Sequence, residues 1–223
     1  MGAVSFTPAV TPETVTVLHL GCGRKKTPEA LGLQFVNGSG ALEPKHIRMI
    51  NLDMNPHVEP DILCRLGTDS IDLPDDSVDF VVALHVLEHI GEHQGDMRAW
   101  WQFWTELYRV MKPGTRIQFE CPYYSSVWAW ADPTHVRAIS EYTFLYFNQD
   151  AYRSNRKQGA MPDYRPPFDF LPALMEKDGQ QVSSIETIPD HTNPDVRAQE
   201  RVSFIRGALI ARKPLQPYWE DVL

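Results

Sequence analysis

Val15-Thr16-Val17-Leu18-His19-Leu20-Gly21-Cys22-Gly23 is the stretch whose reading decides the fold. An apolar run of this length, rich in β-branched side chains, reads as a buried strand. It stops at two glycines flanking a single residue, and glycine there lets the backbone turn sharply and approach a ligand closely. A loop of this kind, ending the first strand of an alternating β/α chain, is where nucleotide-type cofactors sit. Lys26 stands where the dinucleotide fingerprint G-x-G-x-x-G needs its third glycine for close packing of helix on strand. NAD is therefore disfavoured.

Downstream, strands and helices alternate, which predicts an α/β domain with a largely parallel sheet. Ile47 to Leu52 reads as a second strand ending at Asp53, and residues 61–64 as a short third. Pro74-Asp75-Asp76-Ser77 makes a turn into Val78–Leu84, an apolar run suited to the centre of a parallel sheet. Residues 96–112 carry Met97, Trp100, Trp101, Trp104, Leu107, Tyr108 and Met111 at helical spacing and close with Pro113-Gly114, so those aromatics belong to a helix packed on the sheet. A strand over 115–121 is halted by Pro122. Further on, the pattern predicts a helix at 141–147 behind Ser140, a helix at 168–177 ending at Asp178-Gly179, and strands at 181–188 and 201–212. The polar loop between those last two strands is too short for a helix, so they are expected to pair antiparallel.

Outside this frame lie three irregular pieces. Residues 1–14, with Pro8 and Pro12, read as an N-terminal arm before a single domain over 15–223. Residues 24–46 exceed a minimal crossover and suggest an insertion near the cofactor mouth. Residues 123–167, aromatic and proline-bearing, form a long excursion of the kind that is usually functional, here a substrate-binding lid.

With 223 residues the chain can bury a full core unaided by disulfide or metal. Cys22, Cys64 and Cys121 show no paired spacing and no charged-then-apolar leader precedes residue 15, so a reducing cytoplasm is expected. No apolar run approaches the roughly 20 residues of a membrane span. A formal charge of −8 argues against duplex nucleic acid as partner, although Arg153, Arg156, Lys157 and Arg165 gather in one segment.

Three stretches in order, His19-Leu20-Gly21-Cys22-Gly23, Ile50-Asn51-Leu52-Asp53 and the run from Leu73 through His85-Val86-Leu87-Glu88-His89-Ile90, resemble the class I S-adenosylmethionine-dependent methyltransferases. The resemblance implies a Rossmann-like, seven-stranded, mostly parallel sheet with helices on both faces and an antiparallel last strand. It implies S-adenosylmethionine as cofactor, with Leu20, Gly21, Cys22 and Gly23 around its methionine portion. Asp53 would accept from the ribose hydroxyls, Met54 would follow it, the backbone near Leu66 would meet the adenine, and Leu84 and His85 would border the sulfonium. Two positions depart from the family pattern: His19 replaces the leading acid of the glycine motif, and Arg65 stands where an acid often faces the adenine.

His85-Val86-Leu87-Glu88-His89 also spells H-x-x-E-H, the inverted zincin motif, in which two histidines one helical turn apart share a metal. A buried strand leads straight into it, so the methyltransferase junction is preferred and no metal is expected. A zinc hydrolase is the rival reading, and a cofactor-binding module without catalysis the non-enzymatic one. For the acceptor, Tyr123, Tyr124, Asp132 and His135 follow the fifth strand, where a substrate would meet the methyl group. His135 is the candidate general base, since a free imidazole titrates near working pH, and His85 is the second candidate catalytic residue. Arg153 and Arg156 would attract a phosphate or carboxylate on a small-molecule acceptor. Small bacterial and phage-type methyltransferases of similar motif set suggest a glycan or a nucleotide-linked sugar.

Overall fold

Val78–Leu84 is apolar at every position but Asp79 because it lies at the middle of the molecule, buried from Val78 to Ala83. In the computed structural model, which describes residues 4–5, 14–32, 35–37, 40–41, 46–157, 166–177, 180–181 and 203–215, it is the fourth strand of an eight-stranded sheet. The strands are β1 (Val15–Leu20), β2 (Ile47–Asp53), β3 (Ile62–Leu63), β4 (Val78–Leu84), β5 (Met111–Pro122), β6 (Phe170–Lys177), β7 (Gln180–Gln181) and β8 (Phe204–Ala211). They lie in the order β7-β6-β8-β5-β4-β1-β2-β3. From β3 to β5 every neighbouring pair is parallel; β8 runs antiparallel to both β5 and β6, between which it is inserted. This is the Rossmann-like, mostly parallel sheet with a reversed last strand, with eight strands where seven were expected because the two-residue β7 adds to the edge of β6.

One face is covered by α2 (Met97–Val110), whose start is fixed by Asp96 Oδ1 accepting from Ala99 N–H at 3.1 Å. Its periodic apolar residues, Trp100, Phe103, Trp104 and Leu107, are buried in the main core with Leu18, Leu20, Leu52 and Phe119. Burying four such side chains is worth on the order of 6–12 kcal/mol before entropy is counted. On the opposite face Val15, Val17, Phe80 and Val82 form a smaller cluster, against which Leu31 of α1 (Pro28–Leu31) packs. The α2 end is pinned as well: Arg109 donates to the carbonyls of Ile71 and Leu73 and pairs with Glu106 and Asp75.

Some elements differ from the sequence reading. Residues 170–177, expected to be helical, are strand β6. Ala173, Leu174, Met175, Glu176 and Lys177 are good helix formers, but β8 offers an unpaired edge and Phe170 and Met175 reach the core only from a strand. Of the strand expected at 181–188, only Gln181 lies within the described residues, paired with Glu176 as part of β7. β5 begins at Met111, directly after α2, rather than at Thr115. The 141–147 helix is present as a 3₁₀ helix, Glu141–Phe147.

Within the arm, Val4–Ser5 pairs in parallel with Phe35 and Val36, and Phe35–Asn37 pairs with Gly40–Ala41, giving a small separate sheet. The excursion after β5 contains α3 (Trp128–Ala131), the 3₁₀ turn and α4 (Gln149–Lys157). No helix among the described residues is long and apolar enough to cross a membrane.

Candidate active site

β1, β2 and β4 all end on the same edge of the sheet, and their loops meet there. Gly21 and Gly23 hold φ of +59° and +52°, conformations in which L side chains are strained. The loop is stapled to β2 twice: Cys22 N–H donates to the Leu52 carbonyl at 3.0 Å, and Gly23 N–H to Asp53 Oδ2 at 2.8 Å. Asp53 Oδ1 accepts from Asn55 N–H at 2.9 Å, so both carboxylate oxygens are oriented by backbone and keep further lone pairs. A Cβ on Gly21 would come 2.9 Å from Cγ2 of Val86, whereas one on Gly23 would meet nothing within 4 Å.

Between these loops opens a cleft of about 510 Å³, mouth included. Gly21 and Asp53 form one wall, Met54, Leu66 and Ile90 give it apolar sides, and Arg65, His89 and Glu92 stand at its rim. Met54 is 57% exposed, a large apolar side chain left in solvent beside a slot wide enough for a ring.

After β4 the chain turns through His85, itself at φ +54°, into a single 3₁₀ turn, Leu87–His89. His85 Nε2 lies 3.0 Å from Oε1 of Glu120, its Nδ1 lies 3.5 Å from Oε1 of Glu88, and Glu120 is also bonded to Arg206. The Glu120 and Glu88 carboxylates push the His85 pKa up to about 9, and His85 with Arg206 holds Glu120 down at about 2. A histidine so placed carries its proton at neutral pH and donates; it cannot serve as a base. The five H-x-x-E-H residues do not share one helix, the arrangement the zincin motif requires.

A second loop closes on this turn from the excursion. Val136 N–H donates to the Glu88 carbonyl at 2.9 Å, and the His89 and His135 rings meet edge to face with centroids 4.6 Å apart. His135 Nδ1 lies 3.2 Å from the Ala129 carbonyl, so the ring donates there and leaves Nε2 with its lone pair. Asp132 Oδ1 accepts from both the amide and the hydroxyl of Thr134, the turn-forming role open to Asp before proline; its Oδ2 is 3.9 Å from His135 Nε2.

A sequence profile described as "Methyltransferase domain" matches residues 18–119, the span that holds the glycine loop, Asp53 and the β4 turn. Over residues 18–119 the chain is a methyltransferase domain of the S-adenosylmethionine-dependent kind. Among solved structures, YcgJ of Bacillus subtilis shares the fold at a TM-score of 0.50, with 15% identity over 91% of this chain and 94% of that one. A methyltransferase of Archaeoglobus fulgidus (TM-score 0.48, 18% identity, 90% and 86% covered) and the N-methyltransferase NodS of Bradyrhizobium japonicum with S-adenosylhomocysteine (0.47, 12%, 88% and 78%) are also similar. No curated protein sequence matches the chain.

The cleft of this methyltransferase fits its methyl donor. Gly21 leaves its loop without a side chain at the cleft wall, Asp53 has oriented acceptor oxygens of the kind a diol needs, and Met54, Leu66 and Ile90 suit a flat base. S-adenosylmethionine, when bound, supplies a methyl group on a positively charged sulfur. Of the residues expected to hold it, Gly21, Asp53, Met54 and Leu66 line the cleft. Leu20 and Cys22 do not line the cleft: their side chains are buried, and burial with the Asp53 carboxylate pushes the Cys22 thiol up. Leu84 packs on the opposite face, with Val15 and Phe80.

His19, in place of the family's acid, is buried beneath the glycine loop, and burial holds its pKa below the ordinary value, so it is neutral at pH 7. Asn51 and Asp53 oppose that shift without reversing it. Val86, His89 and Ile90 were missed as cleft residues by sequence reasoning; the available signal was their position within six residues of the end of β4.

On the acceptor side the structure separates residues that the sequence grouped. Tyr123 is fully buried, its hydroxyl donating to Glu141 Oε2 at 2.9 Å, and is core rather than substrate surface. Tyr124 is partly buried and its carbonyl accepts from Trp130 Nε1 at 3.0 Å. Arg153 is not brought to the cleft. It stands on α4, whose first turn is tied through Asp150 to Arg212 after β8, at the amino edge of the parallel strands. The side chains of Arg156 and Lys157, and all of Arg165, lie outside the described residues.

Proposed function

We propose that this methyltransferase acts on a ring-bearing small molecule, a glycan or nucleotide-linked sugar, held on α3 and the turn from Asp132 to His135. The observation that carries the reading is an aromatic surface beside the cleft. Trp128 and Trp130 are 56% and 60% exposed, and Trp130 is fixed by its bond to the Tyr124 carbonyl. α3 reaches the cleft through a chain of contacts: Ala129 to His135, His135 to His89, and His89 to the cleft rim. Tryptophan left in solvent at such a place offers a flat apolar face on which a sugar or base ring stacks.

The residues divide the work by position. Asp53 and the glycine loop hold the donor, the tryptophans hold the acceptor ring, and His135, its Nδ1 engaged by the Ala129 carbonyl, offers Nε2 to the acceptor hydroxyl. His85, charged and anchored by Glu120, is a fixed positive group near the end of β4. Methyl transfer is an in-line displacement, so positioning of the two reactants is the main thing such a site must supply. The cytoplasm suits a donor and acceptor of this kind.

The test is a panel of sugar and nucleotide-sugar acceptors with methyl-labelled donor. For any acceptor found, Trp128→Ala and Trp130→Ala should raise KM at least several-fold and leave the donor Kd unchanged. An acceptor KM indifferent to both substitutions sinks the platform.

A further inference from the structure

We infer that Glu88, His89 and His135 form a binding site for a divalent transition-metal ion of the zinc class, open toward the acceptor side of the cleft. One ligand atom from each of the three lies within 4.8 Å of the other two. An ion with ligand bonds of about 2.0–2.2 Å gathers atoms so spaced by small side-chain rotations.

The independent observation is Glu88. Its side chain is 2% exposed, yet among the described residues neither carboxylate oxygen has a hydrogen-bond partner. Such a carboxylate pays the full cost of leaving water unless something else faces it. The charged His85 ring faces Oε1 with Nδ1 at 3.5 Å, an ion pair too long for a good hydrogen bond, and Oε2 is left for another partner. A cation between Glu88 and the two imidazoles supplies the missing partner.

The histidines are prepared in the way metal ligands usually are. His135 Nδ1 donates to the Ala129 carbonyl at 3.2 Å, and His89 Nδ1 lies 3.3 Å from the Thr134 carbonyl and 3.1 Å from its hydroxyl oxygen. Both rings are thereby turned with Nε2 as the free lone pair, the outer hydrogen bonds fixing tautomer and orientation. The backbone bond from Val136 to the Glu88 carbonyl holds the two loops together, so the three ligands sit on a braced frame.

Two imidazoles and one carboxylate are a borderline ligand set, suited to Zn²⁺ and its neighbours rather than to Mg²⁺ or Ca²⁺. Three protein ligands leave at least one position open. His89 borders the cleft and His135 borders α3, so that position faces where the acceptor is proposed to bind. There an acceptor hydroxyl would bind the ion in place of its hydrogen bond to His135, and would be acidified by it. This last role rests on the proposed acceptor reading; the ion site does not. It also differs from the zincin reading, because His135 replaces His85 as the second histidine.

The experiment is titration of the full chain, freed of metal by chelator, with Co²⁺ alone, followed by visible absorption and calorimetry. One Co²⁺ per chain, displaced by Zn²⁺, is expected. Binding should be lost in His89→Gln and in His135→Gln, kept in His85→Gln, and weakened about tenfold in Thr134→Val, which removes the hydroxyl that orients His89 together with its bond to Asp132. Absence of a stoichiometric Co²⁺ complex in the unaltered chain overturns the proposal whether or not any variant folds. Binding that survives His135→Gln but not His85→Gln overturns it in favour of the H-x-x-E-H pair. Titration of the same metal-free protein with S-adenosylmethionine tests the donor cleft separately, and the tryptophan variants test the acceptor reading, so failure of either is distinguishable from failure of the ion site.

Discussion

Gly23 and Asp53, 30 residues apart, are joined by a hydrogen bond of 2.8 Å from the backbone N–H of one to the carboxylate of the other. The carboxylate that ends β2 and the glycine loop after β1 are thus a single mechanical unit. Asp53→Ala removes both the acceptor and the staple, and Gly21→Val drives a branched side chain against Val86 from a backbone at positive φ. Loss of a charged-acceptor hydrogen bond costs about 1.5–3 kcal/mol, so we expect donor affinity to fall roughly tenfold to a hundredfold in Asp53→Ala. Calorimetry with S-adenosylmethionine checks this. Normal affinity in both folded variants would mean that the donor lies elsewhere.

Glu106 should make the protein sensitive to acid. Its carboxyl is held below the usual value by Arg109, aided by the Ile71 N–H, and opposed by partial burial. A folded-state pKa below the unfolded one contributes stability that is present above the unfolded pKa, about 4.3, and is lost as pH falls through the folded value. Urea midpoints of the parent chain should therefore drop more steeply than those of Glu106→Gln in that window. Parallel curves for the two would contradict the assignment.

Gly207 of β8 is paired with Phe119 on one side and Met175 on the other. A Cβ there would stand 2.5 Å from Phe119 Cζ and 2.6 Å from Met175 Sδ. Overpacking of this kind costs typically about 1–3 kcal/mol, which is the loss expected in Gly207→Ala by denaturant unfolding. Adding Phe119→Leu should restore part of it. A Gly207→Ala variant as stable as the parent would show that the aromatic ring yields freely.

The three thiols should be silent in the folded protein. All are buried; burial, with nearby carboxylates, raises Cys64 to about 11, Cys121 well above the ordinary value, and Cys22 above it. Because the thiolate is the nucleophile, a disulfide reagent at about pH 8 should modify none of them until denaturant is added. Fast modification of any one in the native chain contradicts its placement.

What could be read from the sequence was whatever depends on neighbours in the chain. Gly21, Gly23 and Asp53 each end a strand, and α2 advertises its buried face through residues three and four apart. Residues 170–177 were misread because their helix-forming side chains are overruled by a sheet edge supplied by β8, some 30 residues later. Tyr123 and Tyr124 are adjacent and chemically alike, and only the fold decides that the first is core. His135 was found by type, but its neighbour His89 is 46 residues away, and nothing local to either announces the other.

The insertion of β8 between β5 and β6 also sets an order of assembly. β6 precedes β8 in the chain yet has no place in the sheet until β8 arrives, because β8 alone bridges it to β5. A chain emerging from the ribosome as far as Lys177 therefore holds β5 with an open edge and β6 unattached, both carrying apolar residues meant for the core. Such non-local pairing is slow, and an unpaired strand edge invites association with other chains. Truncations or destabilising changes within residues 204–211 should consequently act first on yield and aggregation, before any measurement of methyl transfer becomes possible.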